Sequence, residues 1–284
     1  MQDLRSILNV RESLVKFLEE DIGAGDITSE SIVPEDLHAS GKIICKSRNS
    51  VVCGLEEAEI IFGICGCEAK AIVGDGTRID KGKVVMKLTG SARAILKAER
   101  TALNMIMRMS GIATETYKLA QLARGVGILA TRKTAPGLRY FDKKAVITGG
   151  GGAHRMRLDD MVLIKDNHLA IVGTPSDCIR KARSRAGLAI RVECEVKNTA
   201  EAIDAISAGA DIIMLDNFSP ARASRTIARL TTMGLRKECK IEISGGVNEK
   251  NIKQYARSKP DFISLGYITH SPRAVDFSLE LNSV

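Results

Sequence analysis

Between Thr131 and His168 the chain gathers residues with the chemistry to hold a small, highly charged anion. The segments T-R-K-T, P-G-L-R, G-G-G-G-A-H-R and L-I-K-D-N-H bring Arg132, Lys133, Arg139, Lys143, Lys144, His154, Arg155, Arg157 and Lys165 into one stretch with few acids. Arg132, Arg155 and Lys165 suit a carboxylate clamp. A guanidinium matches a carboxylate with two parallel hydrogen bonds, and an ammonium adds a compact charge. His154, directly after four glycines, could donate to the same ligand. Glu195 and Asp216 close two consecutive apolar runs, where paired acids suit ribose hydroxyls or a Mg²⁺ that leans on substrate phosphates. Glu193 lies two residues before Glu195 and shares its strand face. One of these two acids could instead fill the protein interior, satisfied by a lysine. A lysine at a strand end, Lys133 or Lys165, would also serve a Schiff-base lyase. Gly149–Gly152 has neither the G-K-[ST] of a P-loop nor the context of a dinucleotide fingerprint, and reads as a flexible loop over the site.

The elements that must position these groups follow from apolar periodicity. Strand-like runs cover 126–131, 161–164, 190–196, 211–215, 240–243 and 262–265. They are nearly continuous rather than alternating, as in strands buried on both faces of a parallel sheet. Helical patterns at 176–186, 200–208 and 221–233 lie between them, which predicts an α/β fold. The polar residues named above sit at the C-terminal ends of these runs, where α/β barrels build their sites. Ser244-Gly245-Gly246 and Gly266 follow the last two runs, before helical starts, and suit a phosphate. Upstream, short strands with turn glycines precede a helix over 94–109 and a second over 114–124.

Composition narrows the classes. The 284 residues are 44 % hydrophobic and 27 % charged, ordinary for a globular protein. No apolar run is long enough for a membrane helix. The opening M-Q-D-L-R-S-I-L lacks the apolar core of a secretory leader, so a cytoplasmic location is expected. The seven cysteines form no C-x-x-C pair and read as ordinary buried thiols. The net charge is +8, but with 4 % aromatics and no Trp, nucleic-acid binding is not expected.

Across nearly its whole length the chain resembles the quinolinate phosphoribosyltransferase family. The resemblance is carried by E-D-I-G-A-G-D-I-T (20–28), A-E-R-T-A-L-N (98–104), S-G-I-A-T (110–114), the central motifs above, A-G-A-D-I-I-M-L-D-N (208–217), I-S-G-G-V (243–247) and S-L-G-Y-I-T-H-S (264–271). It implies an N-terminal α/β domain over 1–109, joined by a C-terminal tail at 271–284, and an incomplete α/β barrel with parallel strands over 110–270. It implies a Mg²⁺-dependent reaction of quinolinate with phosphoribosyl pyrophosphate, and a homodimer or hexamer whose active sites are shared between subunits. By position, Arg132, His154, Arg155 and Lys165 match the quinolinate ligands, and Arg100 matches an arginine that reaches a neighbouring subunit's site. Lys133, Glu195 and Asp216 match residues that handle phosphoribosyl pyrophosphate and its metal. Ser244, Gly245, Gly246 and Gly266 match the 5′-phosphate region, and Lys133, Lys165, Glu195 and Asp216 are the implied catalytic set. Cys194 stands where the family commonly has valine. A paralogue associated with molybdenum transport departs at the segment equivalent to L-I-K-D-N-H, which this chain keeps.

Overall fold

The structure, a computed structural model, describes residues 4–187 and 189–283. The start of the segment read for a leader and the last residue of the tail lie outside them. The chain forms two compact units. The first gathers the residues up to Glu115, Pro136–Gly149 and those from Ser271 on; the second gathers Thr116–Ala135 and Gly150–His270. Pro136–Gly149, expected in the barrel, thus groups with the first unit.

The first unit contains α1 (Leu4–Ile22), α2 (Ile27–Ile32), β1 (His38–Cys45), β2 (Ser50–Val51), α3 (Leu55–Ile64), β3 (Glu68–Ala71), β4 (Arg78–Ile79), β5 (Val84–Ser91), most of α4 (Ala92–Ala123), α5 (Arg139–Thr148) and β12 (Phe277–Ser283). Its main sheet is antiparallel, in the order β12-β1-β5-β3. α5 is tied in by Asp142, fully buried, which accepts two hydrogen bonds from the Arg108 guanidinium at 2.8 and 2.9 Å. Lys144 of the same helix bonds Glu56 and Glu57, both at 2.7 Å. Those acids lie nearly ninety residues away in sequence, so part of the cation cluster that suggested an anion pocket is structural.

The sequence pattern predicts two helices around Ser110-Gly111, yet α4 runs through both without a break. The small residues there serve packing. A Cβ on Gly111 would stand 1.9 Å from the carbonyl oxygen of Arg273, in the segment leading to β12.

The second unit contains β6 (Gly127–Ala130), β7 (Val162–Ile164), α6 (Asp166–Val172), α7 (Pro175–Arg185), β8 (Val192–Val196), α8 (Thr199–Ser207), β9 (Ile212–Asp216), α9 (Pro220–Thr232), β10 (Lys240–Ser244), α10 (Ile252–Ala256), β11 (Phe262–Leu265) and α11 (Tyr267–His270). Its helices start where the sequence supplies caps. Thr174, Asn198 and Ser219 accept the N–H groups of Asp177, Glu201 and Arg222, and Pro175 and Pro220 take first-turn positions without an N–H to waste. The strands are parallel, in the order β6-β11-β10-β9-β8-β7. Two aspartates set their alignment. Asp211 accepts the Val192 N–H and an Arg183 N–H, both at 2.6 Å. Asp261 likewise accepts from Ile241 at 2.9 Å and Arg236 at 2.6 Å. Each acid thus locks the start of one strand to the start of its neighbour.

Gly152 adds a seventh stave beside β6. Its N–H donates to Ile128 and its carbonyl accepts from Ala130. The run Gly149–Gly152 is therefore not simply the flexible loop expected: Gly149 closes α5 and Gly152 is paired. A flat sheet would put this stave five strand spacings, about 24 Å, from β8. Yet His154 Nε2 lies 3.1 Å from Glu193 Oε2 of β8. The sheet is therefore curled into a barrel left open between the Gly152 stave and β7. Residues in register share a face, so Glu193, Glu195, Asp216, Glu242 and Ser244 look inward, while Cys194, Ile213, Leu215 and Ile243 pack outward and are buried.

We expect Gly111→Ala to lower stability by about 1–3 kcal/mol, because the methyl group forces the Arg273 backbone away from α4. Chemical denaturation checks this; an unchanged midpoint would show that the tail yields freely.

Candidate active site

The C-terminal ends of the strands bring together what the sequence had marked. Thr131, Arg132 and Lys133 follow β6, and Lys165 ends β7 as the cap of α6. Glu195 lies near the end of β8. Asp216 closes β9 level with Ser244 on β10, and Gly266 follows β11.

Lys165 Nζ lies 3.8 Å from Glu195 Oε2. The lysine is half exposed, so this contact alone contributes little to stability. Burial, then the Asp216 charge, push the Glu195 carboxyl above its ordinary range; Lys165 pulls the other way. Asp216 in turn accepts from the Asn217 side chain at 2.6 Å. Two oxygen-bearing acids so close that one raises the other's pKa make a natural seat for a hard cation.

Arg155 is buried, and its guanidinium donates to the Met161 carbonyl at 3.3 Å. Burial, followed by the positive charge of Arg132, lowers its pKa. Arg155 thus reaches the start of β7, while Arg132 follows the end of β6. Arg132 Nε is buried without a hydrogen-bond partner. This is the strongest local signal for an anion.

The glycines serve close approach. A Cβ on Gly245 (φ +89°) would stand 2.9 Å from the Asn217 backbone nitrogen, so only glycine lets the ends of β9 and β10 meet here. A Cβ on Gly266 would lie 3.0 Å from the Lys133 side chain, which therefore runs over the end of β11. Thr269 fixes the same loop by donating to the Lys133 carbonyl at 2.8 Å. The helical starts expected behind these glycines are short. α10 has five residues and begins six positions after Gly246, and α11 has four. A phosphate here would rely on loop N–H groups more than on a long helix dipole.

His154 follows a different pattern. It sits at φ +49° just past the Gly152 stave, and its ring is turned into the barrel. Nδ1 accepts the Arg155 N–H at 2.7 Å, while Nε2 faces Glu193 at 3.1 Å and Glu242 at 3.6 Å. Both carboxyl groups are fully buried. The interior acid Glu193 thus faces a histidine, while the lysine expected beside one of the two acids stands near Glu195. Glu242 was missed, although I-E-I-S places it two residues before Ser244 and so on the same inner face. Burial, then the Glu193 charge, raise its pKa to about 8, against the pull of His154. A cavity of about 410 Å³ reaches this group; Leu129, Met161, Arg191, Ile212 and Phe262 line it further out. Ile212 and Phe262 begin their strands, so the cavity opens toward the end of the barrel opposite Lys165 and Asp216. Arg100 is exposed on α4, within the first unit.

With this geometry in place, comparison with known proteins is decisive. The model of the quinolinate phosphoribosyl transferase N-terminal domain matches residues 26–110, and that of the C-terminal domain matches 112–280. The chain belongs to the quinolinate phosphoribosyl transferase family. A probable nicotinate-nucleotide pyrophosphorylase [carboxylating] of Methanothermobacter thermautotrophicus is 41 % identical over 273 residues, covering 95 % of this chain and 98 % of the relative. The nicotinate-nucleotide pyrophosphorylase [carboxylating] of Mycobacterium leprae is 36 % identical over 280 residues, 95 % and 96 % of the two chains. Among solved structures, the nicotinate-nucleotide pyrophosphorylase from Francisella tularensis superposes with a TM-score of 0.89 at 35 % identity, over 96 % of both chains. NadC from Streptococcus pyogenes gives 0.92 at 32 %, over the full length of both. A human nicotinic acid phosphoribosyltransferase, at 10 % identity and a TM-score of 0.62, shares the fold alone.

For the quinolinate phosphoribosyl transferase site, the raised Glu242 pKa has a consequence for stability. The folded protein keeps this proton to a higher pH than the unfolded chain, so stability is lost as pH rises from about 4.5 toward about 8. Glu242→Gln removes that loss. The variant should gain on the wild type by up to about 1.4 kcal/mol per pH unit between pH 5 and 8. Thermal midpoints of both proteins across that range check this; a constant difference would contradict it.

Proposed function

We propose that this chain transfers the phosphoribosyl group from phosphoribosyl pyrophosphate to quinolinate with loss of CO₂, giving nicotinate mononucleotide and pyrophosphate in NAD biosynthesis. Within a family shown over both domains, the observation that carries the substrate is the buried Nε of Arg132, without a hydrogen-bond partner past the end of β6. A carboxylate would satisfy it, and Lys165 and Arg155 offer further cations for a second carboxylate. A nicotinate-using enzyme would have less need of them.

In this reading Arg132, Arg155 and Lys165 grip the two carboxylates and aim the pyridine nitrogen at the ribose C1, spending binding energy on orientation. Loop N–H groups at Ser244, Gly245, Gly246 and Gly266 take the 5′-phosphate. Lys133, lying over Gly266, meets the pyrophosphate. As the C1–oxygen bond breaks, Glu195 and Asp216 stabilise the oxocarbenium-like charge. The all-oxygen pair Glu195 and Asp216 also fits Mg²⁺, held directly or through water. Bound there, the ion would supply positive charge to the pyrophosphate. Once the N–C1 bond forms, the pyridinium ring accepts the electron pair of the bond to the 2-carboxylate, and CO₂ departs. The surrounding cations favour the charge that remains on the ring until a proton replaces it. No nucleophilic side chain is needed, so neither Lys133 nor Lys165 acts as a Schiff base.

The proposal extends to assembly and location. Arg100, exposed on α4 in A-E-R-T, is assigned to a neighbouring subunit's site in a homodimer or hexamer. No helix among the described residues is long and apolar enough to cross a membrane, and all seven cysteines are free thiols. Both fit work in the cytoplasm.

Purified protein supplied with Mg²⁺ and phosphoribosyl pyrophosphate should release CO₂ and nicotinate mononucleotide from quinolinate and show no turnover of nicotinate. Arg132→Ala should raise the quinolinate KM about a hundredfold, the loss of a bidentate charged hydrogen bond worth ~3 kcal/mol. Wild-type kinetics in that variant would overturn the clamp.

A further inference from the structure

Asn217 has no part in the reaction as laid out, yet it stands between two groups that the reaction uses. It follows Asp216 directly and lies against Gly245 of the phosphate loop. Its backbone is left-handed, at φ +54°. Asparagine is among the few side-chain-bearing residues that adopt this shape readily. The turn brings the Asn217 N–H to the Ser244 carbonyl, to which it donates at 2.9 Å, just past the register that sets Asp216 level with Ser244. It also folds the side chain back onto its own neighbour. Nδ2 donates to Asp216 Oδ2 at 2.6 Å.

The orientation of the amide follows from its partner. A carboxylate only accepts, so the amide turns its nitrogen to Asp216 and its oxygen away. That oxygen faces Gly245. It is the atom nearest to where a Cβ on Gly245 would stand, and the Asn217 Cγ would lie 2.7 Å from that Cβ. The amide thus occupies the space that any side chain at position 245 would need. The main chain on both sides is held separately. Tyr255, buried, donates to the Phe218 carbonyl at 2.8 Å. The Gly246 carbonyl accepts from Asn251 Nδ2 at 2.9 Å and from Asn248 Nδ2 at 3.3 Å. With the backbone fixed in this way, the contact left for the Asn217 amide to control is the plane of the Asp216 carboxylate. Asn217 is exposed, so its bond to Asp216 adds little to the stability of the fold.

We propose that Asn217 is a positioning residue for phosphoribosyl pyrophosphate: its amide holds the Asp216 carboxylate in a fixed relation to the phosphate loop at Gly245. The acid that serves the ribose and the backbone that serves the 5′-phosphate then meet one substrate as a single unit. This rests on the function proposed above. The assignment differs from a turn-forming or packing role because it needs the amide N–H and predicts a defect toward one substrate only.

Two variants of the full-length protein separate the amide from the backbone. Asn217→Gly adopts the left-handed shape freely but has no amide. Asn217→Asp keeps the side-chain shape and an oxygen toward Gly245 but cannot donate. In steady state with Mg²⁺, each should raise the phosphoribosyl pyrophosphate KM about tenfold, the size of one hydrogen bond to a charged group, with the quinolinate KM within about twofold of wild type. Binding without turnover is read by isothermal titration of phosphoribosyl pyrophosphate into protein saturated with benzene-1,2-dicarboxylate, which lacks the ring nitrogen and cannot react. The Kd should rise by the same factor in both variants. A wild-type Kd in Asn217→Gly would reduce Asn217 to a turn residue, and a wild-type Kd in Asn217→Asp would reduce it to a space-filler. An equal rise in the KM of both substrates would mark a general loosening of the site. Each of these results overturns the proposal. Should Asn217→Asp fail to fold, Asn217→Gly decides alone. A wild type that binds no phosphoribosyl pyrophosphate defeats the function itself; a wild type that binds it no better than the two variants defeats only the positioning role.

Discussion

Everything in the second unit depends on charge that the curled sheet encloses. A side-chain period of two places Glu193 and Glu195, Asp216, and Glu242 on the face that the barrel turns inward. Apolar residues on the alternate positions pack under the helices. Charges inside a protein must be matched or must change protonation state. At mid-depth His154 Nε2 stands 3.1 Å from Glu193 and 3.6 Å from Glu242, and burial, then the Glu193 charge, raise the Glu242 pKa to about 8. At the strand ends Lys165 stands against Glu195, and the acids Glu195 and Asp216 oppose each other. Arg132 Nε is buried there without a hydrogen-bond partner. Arg132, Lys133 and Lys165 thus gather cations at the C-terminal rim of the barrel.

Backbone shape serves the same end. Gly245 lets the ends of β9 and β10 approach, and Gly266 lets Lys133 cross the end of β11. Asp211 and Asp261 lock strand starts, so strand ends fall in step and bring Asp216 level with Ser244. The rim is accurate because the opposite end of the sheet is pinned.

Much of this was legible in sequence. The near-continuous apolar runs gave the strands of the second unit to within a residue or two, since burial on both faces leaves little ambiguity. The polar residues at their ends followed directly. What was not legible depended on distant contacts. Ser110-Gly111 reads as a break in a helix, but the glycine is there to admit the Arg273 carbonyl to an unbroken α4. Gly149–Gly152 reads as a loop because nothing local shows that Gly152 pairs with β6. Lys144 looked like a ligand-binding cation because its partners, Glu56 and Glu57, lie far away in the chain. The neighbour of Glu193 was hidden for the same reason: only the curl of the sheet brings His154 to within 3.1 Å of it. Glu242 could have been found from the period of two that exposed Glu193.

The central claim is that the rim recognises two carboxylates at once. Isothermal titration of the purified protein with pyridine-2,3-dicarboxylate and with pyridine-3-carboxylate tests it most directly. The account predicts that the dicarboxylate binds at least about tenfold more tightly, the contribution of one further charge-assisted contact. Equal affinities for the two would contradict it.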